Sequence, residues 1–227
     1  MAGPEATPVR DAATVVLVRQ GGAEPALLMG QRGAAAAFMP DKYVFPGGAL
    51  DDADWQVPLA VPPDPLCAAR LEADGRPGLA AALAAGAVRE LWEETGLILG
   101  RPGRWPVAPP AGWQSFAATG HLPDAGALRF VFRAITPPGR TRRFDARFFL
   151  ADAAAIAGDP EDFGRASDEL GHLHWVPMSQ ARRLNLPFIT EVVLGEVAAL
   201  LEAAGDGDAG IPFFDNSGPV PAFRRIR

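Results

Sequence analysis

The 227-residue chain has one cysteine, one lysine and no long hydrophobic run. A single cysteine excludes an internal disulfide bond and a metal site built from several thiolates. The longest nearly uncharged apolar stretch, LAAALAAGAV from Leu79, is too short to cross a bilayer. No apolar signal core follows a basic start at the N-terminus. These absences predict a soluble protein of a reducing compartment, the cytoplasm, without a membrane partner.

Positive charge is also in deficit, because 21 Lys and Arg residues face 27 Asp and Glu residues and give a net charge of −6. This balance argues against a general nucleic-acid-binding protein, whose affinity depends on neutralising phosphates. A hydrophobic fraction of 48% with 21% charged residues is typical of a folded globular chain. The expected partner is a small molecule. If that molecule is anionic, bound cations or a few placed arginines must offset its charge.

Strand-like and helical segments follow each other without a regular βαβ alternation. Runs of β-branched and aromatic residues predict strands at 12–19, 25–32, 127–135, 143–152 and 172–178. Apolar periodicity predicts helices at 66–73, 79–95, 179–185 and 187–204. The mixture favours an α/β (α+β) fold or an α/β/α sandwich. The amphipathic last helix is compatible with packing on the sheet or with joining two copies in a homodimer.

The ends of the chain and one internal stretch have a different composition. Residues 1–10 read as a loose tail, and residues 206–227, with interspersed Gly, Asp, Asn and Pro, as an irregular tail. Residues 11–205 are expected to form one domain. Within it, residues 51–78 are rich in Pro, Asp and Gly and predict an inserted surface excursion.

The segment AVRELWEETGLIL, Ala87–Leu99, concentrates three glutamates near the end of an otherwise apolar helix. On a helical wheel Glu90 and Glu94 lie roughly 40° apart, and Arg89 is one turn before Glu93 and able to pair with it. Like charges on neighbouring positions repel, and the negative end of the helix dipole adds to the repulsion. A solvated helix face is the plain alternative. A hard divalent cation such as Mg²⁺, which prefers carboxylate oxygens, explains the cluster more economically.

The nine residues RELWEETGL, Arg89–Leu97, resemble the second half of the Nudix box, G-x5-E-x7-R-E-U-x-E-E-x-G-U, at all seven specified positions. The first half has two alternative starts. An ungapped count puts Gly75 in the glycine slot and Ala81 in the glutamate slot. The preferred start is FPGGALDDAD, where Gly48 takes the glycine slot and Asp54 stands in for the glutamate. The box is then interrupted by an insertion at about 53–80.

An interrupted box of this kind is similar to a Nudix subgroup that includes peroxisomal coenzyme A diphosphatases, as are the downstream stretches RRFDARFFLA and SDELGHLHWVP. The resemblance implies a Nudix α/β/α sandwich with a mixed sheet. It also implies Mg²⁺-dependent hydrolysis, with Mn²⁺ as an alternative ion, of a nucleoside diphosphate linked to another moiety. Coenzyme A or acyl-CoA, giving 3',5'-ADP and (acyl-)phosphopantetheine, is the preferred substrate. ADP-ribose, other nucleotide sugars and dinucleotides stay open, as does a non-catalytic nucleotide-sensing module.

The resemblance implies a metal site at the end of the predicted helix. Glu90 and Glu94 are the first candidates for metal ligands, and Glu93 is a third ligand or a holder of metal-bound water. The Gly47–Gly48 turn can bring a backbone carbonyl, that of Gly48, close to the metal because no Cβ intervenes.

Further residues complete the predicted catalytic and substrate-binding sets. Arg89 joins Glu93 in the catalytic set, together with Glu169, for which a plain surface acid is the alternative. Arg32 and Arg143 are assigned to the anionic part of the substrate, with the Gly47–Gly48 turn beside them. The insertion next to this turn is predicted to shape the pocket for a bulky substrate arm.

Overall fold

Most of the regular structure is one mixed β-sheet with helices against both faces. The computed structural model describes residues 7–34, 39–73, 75–203 and 210–227. The strands within these ranges are β1 (Val9–Arg19), β2 (Ala26–Arg32), β3 (Tyr43–Val44), β4 (Gly47–Ala49), β5 (Gly100–Pro102), β6 (His121–Pro123), β7 (Arg129–Ile135), β8 (Arg143–Asp152), β9 (Leu170–Pro177), β10 (Ile211–Asp215) and β11 (Ala222–Ile226). The α-helices are α1 (Pro65–Glu72), α2 (Leu79–Thr95), α3 (Gln114–Ala117), α4 (Met178–Ala181) and α5 (Phe188–Glu202).

The main sheet has nine strands among the described residues, in the order β11-β10-β7-β8-β1-β2-β3, with β4 beside β1 and β9 beside β2. The β1–β8 and β7–β10 pairs are parallel, and the other pairs are antiparallel. The short strands β5 and β6 form a separate antiparallel pair. This mixed sheet with flanking helices confirms the predicted α/β (α+β) class.

Strand β1 shows how the sequence separates the two layers of helices. Its side chains alternate between the faces of the sheet, so that Val15 and Leu17 join the apolar core with α2. Val16 and Val18 join the core on the other face with α5. The apolar side of α5 therefore packs on the sheet, one of the two arrangements that its pattern allows, and a homodimer stays a prediction.

Helix α2 ends where the sequence predicts, at Gly96. This residue adopts a left-handed conformation with φ 75°, which glycine reaches without a steric penalty. Its backbone N–H donates to the Trp92 carbonyl oxygen at 2.8 Å and closes the last turn. No helix in the described part of the chain is long and apolar enough to cross a membrane.

The prediction of an irregular C-terminal tail is wrong for the described residues 210–227. Strands β10 and β11 form an antiparallel hairpin, and β10 also pairs with β7 in parallel. Phe213 is fully buried in the core, so the sheet extends well beyond the predicted domain end at 205. Residues 206–209 of the predicted tail lie outside the described residues.

The N-terminal boundary of the domain also differs from the prediction. Strand β1 begins at Val9, inside the predicted tail 1–10, because it pairs with β8 from its first residue. Residues 1–6 of that tail lie outside the described residues.

Candidate active site

The acidic residues of the predicted cluster differ sharply in burial. Glu94 is 1% exposed and Glu90 is 9% exposed, whereas the Glu93 side chain is 39% exposed. All three lie in the last two turns of α2, a helix that is buried along most of its length. The burial of two carboxylates at one helix end requires specific partners, since an unpaired buried charge is strongly unfavourable.

Arg89 supplies the main counter-charge. Its Nη1 donates to Glu90 Oε1 at 2.9 Å and to Glu93 Oε2 at 3.0 Å, and its Nη2 donates to the Ala49 carbonyl oxygen at 3.0 Å. The predicted pairing of Arg89 with Glu93 is thus present. The guanidinium fixes the orientation of two of the acids and ties α2 to β4.

Asp54 holds Arg89 from the opposite side. Its carboxylate, which is 2% exposed, accepts hydrogen bonds from Arg89 Nε at 3.0 Å and from Arg89 Nη2 at 3.1 Å. Burial by itself would lower the pKa of Arg89, but the hydrogen bond to Asp54 and the nearby carboxylates outweigh burial and raise it. This contact favours the box that starts at Gly48 over the ungapped alternative, in which Ala81 could not form it.

Two residues that support Asp54 were not found from the sequence. The fully buried Trp113 donates from Nε1 to Asp54 Oδ1 at 3.0 Å. A Cβ added at Gly86 would lie 3.0 Å from Asp54 Oδ2, so a glycine inside α2 leaves room for the carboxylate. The isolated glycine in an alanine-rich helix was the signal available for Gly86. No pattern in the sequence pointed to Trp113.

The Gly47–Gly48 turn lies against the acids. The Gly47 N–H donates to Glu94 Oε2 at 2.7 Å. A Cβ at Gly48 would lie 2.5 Å from Glu90 Oε1, so that only glycine permits this approach of the backbone to the carboxylate. The predicted proximity of the turn to the acidic cluster is therefore present.

The three glutamates are harder to ionise than ordinary glutamates. Burial raises the pKa of Glu90 to about 7, with Arg89 opposing the change and Glu93 adding to it. Burial also raises the pKa of Glu94 well above its usual range, and the charge of Glu90 raises it further. The pKa of Glu93 is raised by burial and lowered again by Arg89. A bound cation would relieve the penalty on the charged forms of Glu90 and Glu94.

The residues present fit a hard divalent cation in a particular way. Within the described ranges, no three acidic, histidine or cysteine side chains converge as a complete metal site. The fit instead rests on two buried, adjacent carboxylates and a glycine turn that leaves backbone atoms accessible. Mg²⁺ commonly takes one or two carboxylates and completes its shell with water and substrate phosphates. Glu90 and Glu94, together with the Gly48 backbone, are the residues that would hold it.

The acids form part of the wall of a large cavity of about 870 Å³, within the size range of small-molecule sites. Its acidic lining residues are Asp51, Glu90, Glu93, Glu94 and Glu169. Its basic lining residues are Arg10, Arg32, Lys42, Arg140 and Arg142. Both signs of charge thus surround a space in which an anionic molecule could lie between cations of the protein and a metal ion.

Glu169 and Arg32, both predicted from the sequence, meet in this cavity. Glu169 Oε1 lies 3.8 Å from Arg32 Nη2, and the Glu169 side chain is 61% exposed. The charge of Glu169 contributes to the raised pKa values of Glu90 and Glu94, which places it near the acidic cluster. Arg32 Nε is buried and has no hydrogen-bond partner within the described residues.

The assignment of Arg143 to the substrate is not supported by the geometry. Its neighbours Arg142 and Phe144 line the cavity, but Arg143 does not. Successive side chains of a strand point to opposite faces, and Arg143 Nε donates to the Thr136 carbonyl oxygen at 3.1 Å instead. The assignment of Arg143 to the substrate therefore stays a prediction, and Arg140 and Arg142 are further candidate cations that line the cavity.

The insertion does not shape the cavity as predicted. None of its described residues between 55 and 77 lines the cavity. Its helix α1 and the 3-10 helix Asp52–Gln56 contact α2, and Trp55, Val57 and Leu59 pack against the core on the α2 face of the sheet. Among the described residues, Asp54 at its start hydrogen-bonds to Arg89 in the site, and the rest of the insertion packs on α2 and the core.

Known proteins with a similar structure were found by comparison. No family model matches the chain. The crystal structure of a NUDIX hydrolase from Alicyclobacillus acidocaldarius is similar, with a TM-score of 0.62 and 28% identity, over 85% of this chain and 92% of that chain.

More distant structures agree in fold. One is the NUDIX domain of Shewanella oneidensis NrtR, complexed with ADP ribose, with a TM-score of 0.51 and 11% identity over 86% of this chain and 90% of that chain. Another is the MutT protein from Methanosarcina mazei Go1, with a TM-score of 0.50 and 15% identity over 87% of this chain and 98% of that chain. At these identities the likeness concerns the fold alone. The chain, with its mixed sheet between helices and an acidic helix end beside a glycine turn, has the Nudix fold.

Proposed function

We propose that the protein hydrolyses the pyrophosphate bond of a nucleoside diphosphate linked to another moiety, with Mg²⁺ or Mn²⁺ as the cofactor. The observation that carries this proposal is the buried pair Glu90 and Glu94. Arg89 and the Gly47–Gly48 turn hold the pair at the wall of a cavity that also contains cations. The similar Alicyclobacillus protein is described as a hydrolase.

Each residue of the site has a separate task in this reaction. Glu90, Glu94 and the Gly48 backbone would hold the cation, which when bound would offset charge on the phosphoanhydride and make a water more acidic. Arg89 keeps Glu90 and Glu93 in place through its two hydrogen bonds. Arg32, whose Nε has no acceptor among the described residues, binds a phosphate oxygen.

Glu93 and Glu169 are the two candidates for the general base. The water oxygen forms a bond to one phosphorus, the bond from that phosphorus to the bridging oxygen breaks, and the departing phosphate keeps the electron pair. One water proton passes to the carboxylate. Both side chains are partly exposed and line the cavity, so that either can reach a water molecule there.

Coenzyme A or acyl-CoA is the preferred substrate, with 3',5'-ADP and (acyl-)phosphopantetheine as products. The support is the interrupted box, in which Asp54 pairs with Arg89 across the insertion. ADP-ribose is the second candidate, because the similar Shewanella domain binds ADP ribose. A sensing module without catalysis is disfavoured by the retention of the three glutamates in the second half of the box, and the replacement of the first-half glutamate by Asp54 keeps it as an alternative.

The test is a product assay with coenzyme A, ADP-ribose and a dinucleoside polyphosphate, each with Mg²⁺ and with Mn²⁺. The expected result is cation-dependent release of phosphate monoesters from one or more substrates. Glu94→Gln should abolish turnover and leave a folded protein, as judged by circular dichroism, because the amide cannot supply a charged ligand. Absence of turnover across the panel, with tight binding of one member, would identify a sensor. Retained turnover in Glu94→Gln would exclude the metal role.

A further inference from the structure

The cavity extends across the sheet, well beyond the acidic cluster. Its floor includes Thr14 of β1, Ala146 of β8, Ala134 of β7 and Phe214 of β10, and these strands are consecutive neighbours in the sheet. Three strand spacings of about 4.8 Å separate β1 from β10 by about 14 Å. The site therefore has a distant end over β10, which an extended substrate reaches and inorganic pyrophosphate does not.

An exposed aromatic ring lies at this distant end. Phe188, at the start of α5, is 66% exposed although it lines the cavity. Its ring centroid is 6.0 Å from that of Phe214, which forms the floor beside it. Phe188 and Phe214 together form a contiguous aromatic surface on the cavity wall. Contiguous exposed apolar patches mark ligand-binding grooves, and a flat base is a suitable partner for an aromatic ring.

Two cations accompany this ring. Arg140 and Arg142 lie in the turn between β7 and β8 and line the cavity. Within the described part of the chain neither forms a hydrogen bond or an ion pair. By contrast, the cavity cation Lys42 donates to Asn185 Oδ1 at 2.6 Å, and Arg32 pairs with Glu169. The positive charge of the β7–β8 turn is therefore available to an anionic group of a ligand.

We propose that this end of the cavity binds the nucleoside part of the substrate. The nucleobase lies against Phe188 and Phe214, and Arg140 and Arg142 bind a phosphate group outside the cleaved anhydride, on the ribose. The substrate class is thus a nucleoside diphosphate derivative with an additional phosphate. This assignment rests on the proposed function, because it takes the acidic cluster as the place of cleavage.

The test measures product-like ligands, so that it does not depend on turnover. Adenosine 3',5'-bisphosphate and 5'-AMP are titrated into the wild-type protein by isothermal calorimetry, and the two ligands differ by one phosphate. The wild type should prefer the bisphosphate. Phe188→Ala should weaken the binding of both ligands about tenfold or more, the effect of losing one stacked base. The double variant Arg140→Ala/Arg142→Ala should weaken the binding of the bisphosphate and bring its affinity close to that of 5'-AMP.

The controls use exposed residues of similar character elsewhere. Val107→Ala shortens an apolar side chain that is 64% exposed and does not line the cavity, and Arg104→Ala removes an exposed arginine outside it. Both controls should bind as the wild type does. Wild-type affinity in Phe188→Ala, an unchanged preference in the double arginine variant, or no binding of either ligand to the wild type would overturn the assignment. A silent hydrolysis panel with the expected binding pattern would instead refute only the proposed catalysis.

Discussion

Two buried carboxylates at the end of α2 dominate the chemistry at the scale of single residues. Glu90 and Glu94 are held by one guanidinium and one backbone N–H, which is less positive charge than two ionised carboxylates require. Their raised pKa values follow from burial. A protein free of cations thus keeps protons here that a free glutamate releases.

The first prediction concerns stability and pH. Because the pKa of Glu90 rises from 4.5 to about 7 on folding, its stabilising contribution is complete below pH 4.5 and is lost as pH rises through 7. The change is about 3 kcal/mol. Urea unfolding in EDTA at several pH values should show the decline in the wild type and a smaller slope in Glu90→Gln. Mg²⁺ at high pH should restore the wild-type stability, and an equal slope in both proteins would contradict the explanation.

The second prediction compares the two glycines of the turn. An added Cβ at Gly48 meets the end of the Glu90 side chain, which can move away. An added Cβ at Gly47 meets the Ala13 carbonyl oxygen at 2.5 Å and the Thr14 Cα at 2.6 Å, which belong to the backbone of the sheet. Gly48→Ala should therefore lose activity with a near-normal melting temperature, whereas Gly47→Ala should lose stability as well. Equal melting temperatures for the two variants would contradict this difference.

The sequence predicted the site residues whose spacing is local. Arg89 meets Glu93 because positions four apart share a helix face, and the sequence alone contains that information, whereas the hydrogen bond from Arg89 to its neighbour Glu90 depends on the folded site. Trp113 reaches Asp54 only through the folded arrangement of α2, the 3-10 helix and the loop before α3, which no local pattern encodes. The direction of Arg143 depends on which face of β8 is turned to the cavity, and alternation alone does not decide that.

At the scale of elements, the start of the insertion and the loop before α3 jointly hold helix α2. The contact runs from Trp113 to Asp54 and from Asp54 to Arg89, and Arg89 orients two acids. An element with no residue in the cavity thereby controls the geometry of the acidic cluster.

The third prediction tests this control with a pair of tryptophans. Trp113→Phe removes the N–H that binds Asp54, and Trp105→Phe removes an N–H that binds only the His121 carbonyl oxygen at 2.8 Å. Trp113→Phe should raise severalfold the cation concentration needed for half-maximal activity, measured well below its melting temperature. Trp105→Phe should not change that concentration. An unchanged cation requirement in Trp113→Phe would show that the residue serves packing alone.

At the scale of the whole molecule, the layered architecture was predictable and the extent of the sheet was not. The periodicities of β1, β8 and α5 predicted a sheet between helices. The C-terminal hairpin was missed because Pro212 and the surrounding glycines, aspartates and asparagine obscure the strand pattern. What makes Ile211–Asp215 a strand is the free edge of β7, a tertiary feature.

The fourth prediction measures what this hairpin contributes. Phe213 is fully buried, and Arg133 lies over its ring at 4.3 Å, so Phe213→Ala should lower the free energy of unfolding by about 3–5 kcal/mol. Phe223→Ala, in the neighbouring strand, removes a ring that is 54% exposed and contacts Phe132 and Phe214, and it should cost clearly less than Phe213→Ala because less of its surface is buried. Denaturant unfolding measures the free energy of unfolding of both variants and so tests this difference. Similar losses would mean that the hairpin is not part of the cooperative core.

The pairing of β1 with β8, from Val9 with Arg143 to Val18 with Asp152, also determines when the protein can fold. On the ribosome, the valine-rich first strand is made long before its parallel partner, and β2 covers only its last residues, Val18 and Arg19. Pairings so distant along the chain form slowly and leave apolar strands open to aggregation meanwhile. The centre of the sheet can therefore be completed only after β8 has been synthesised.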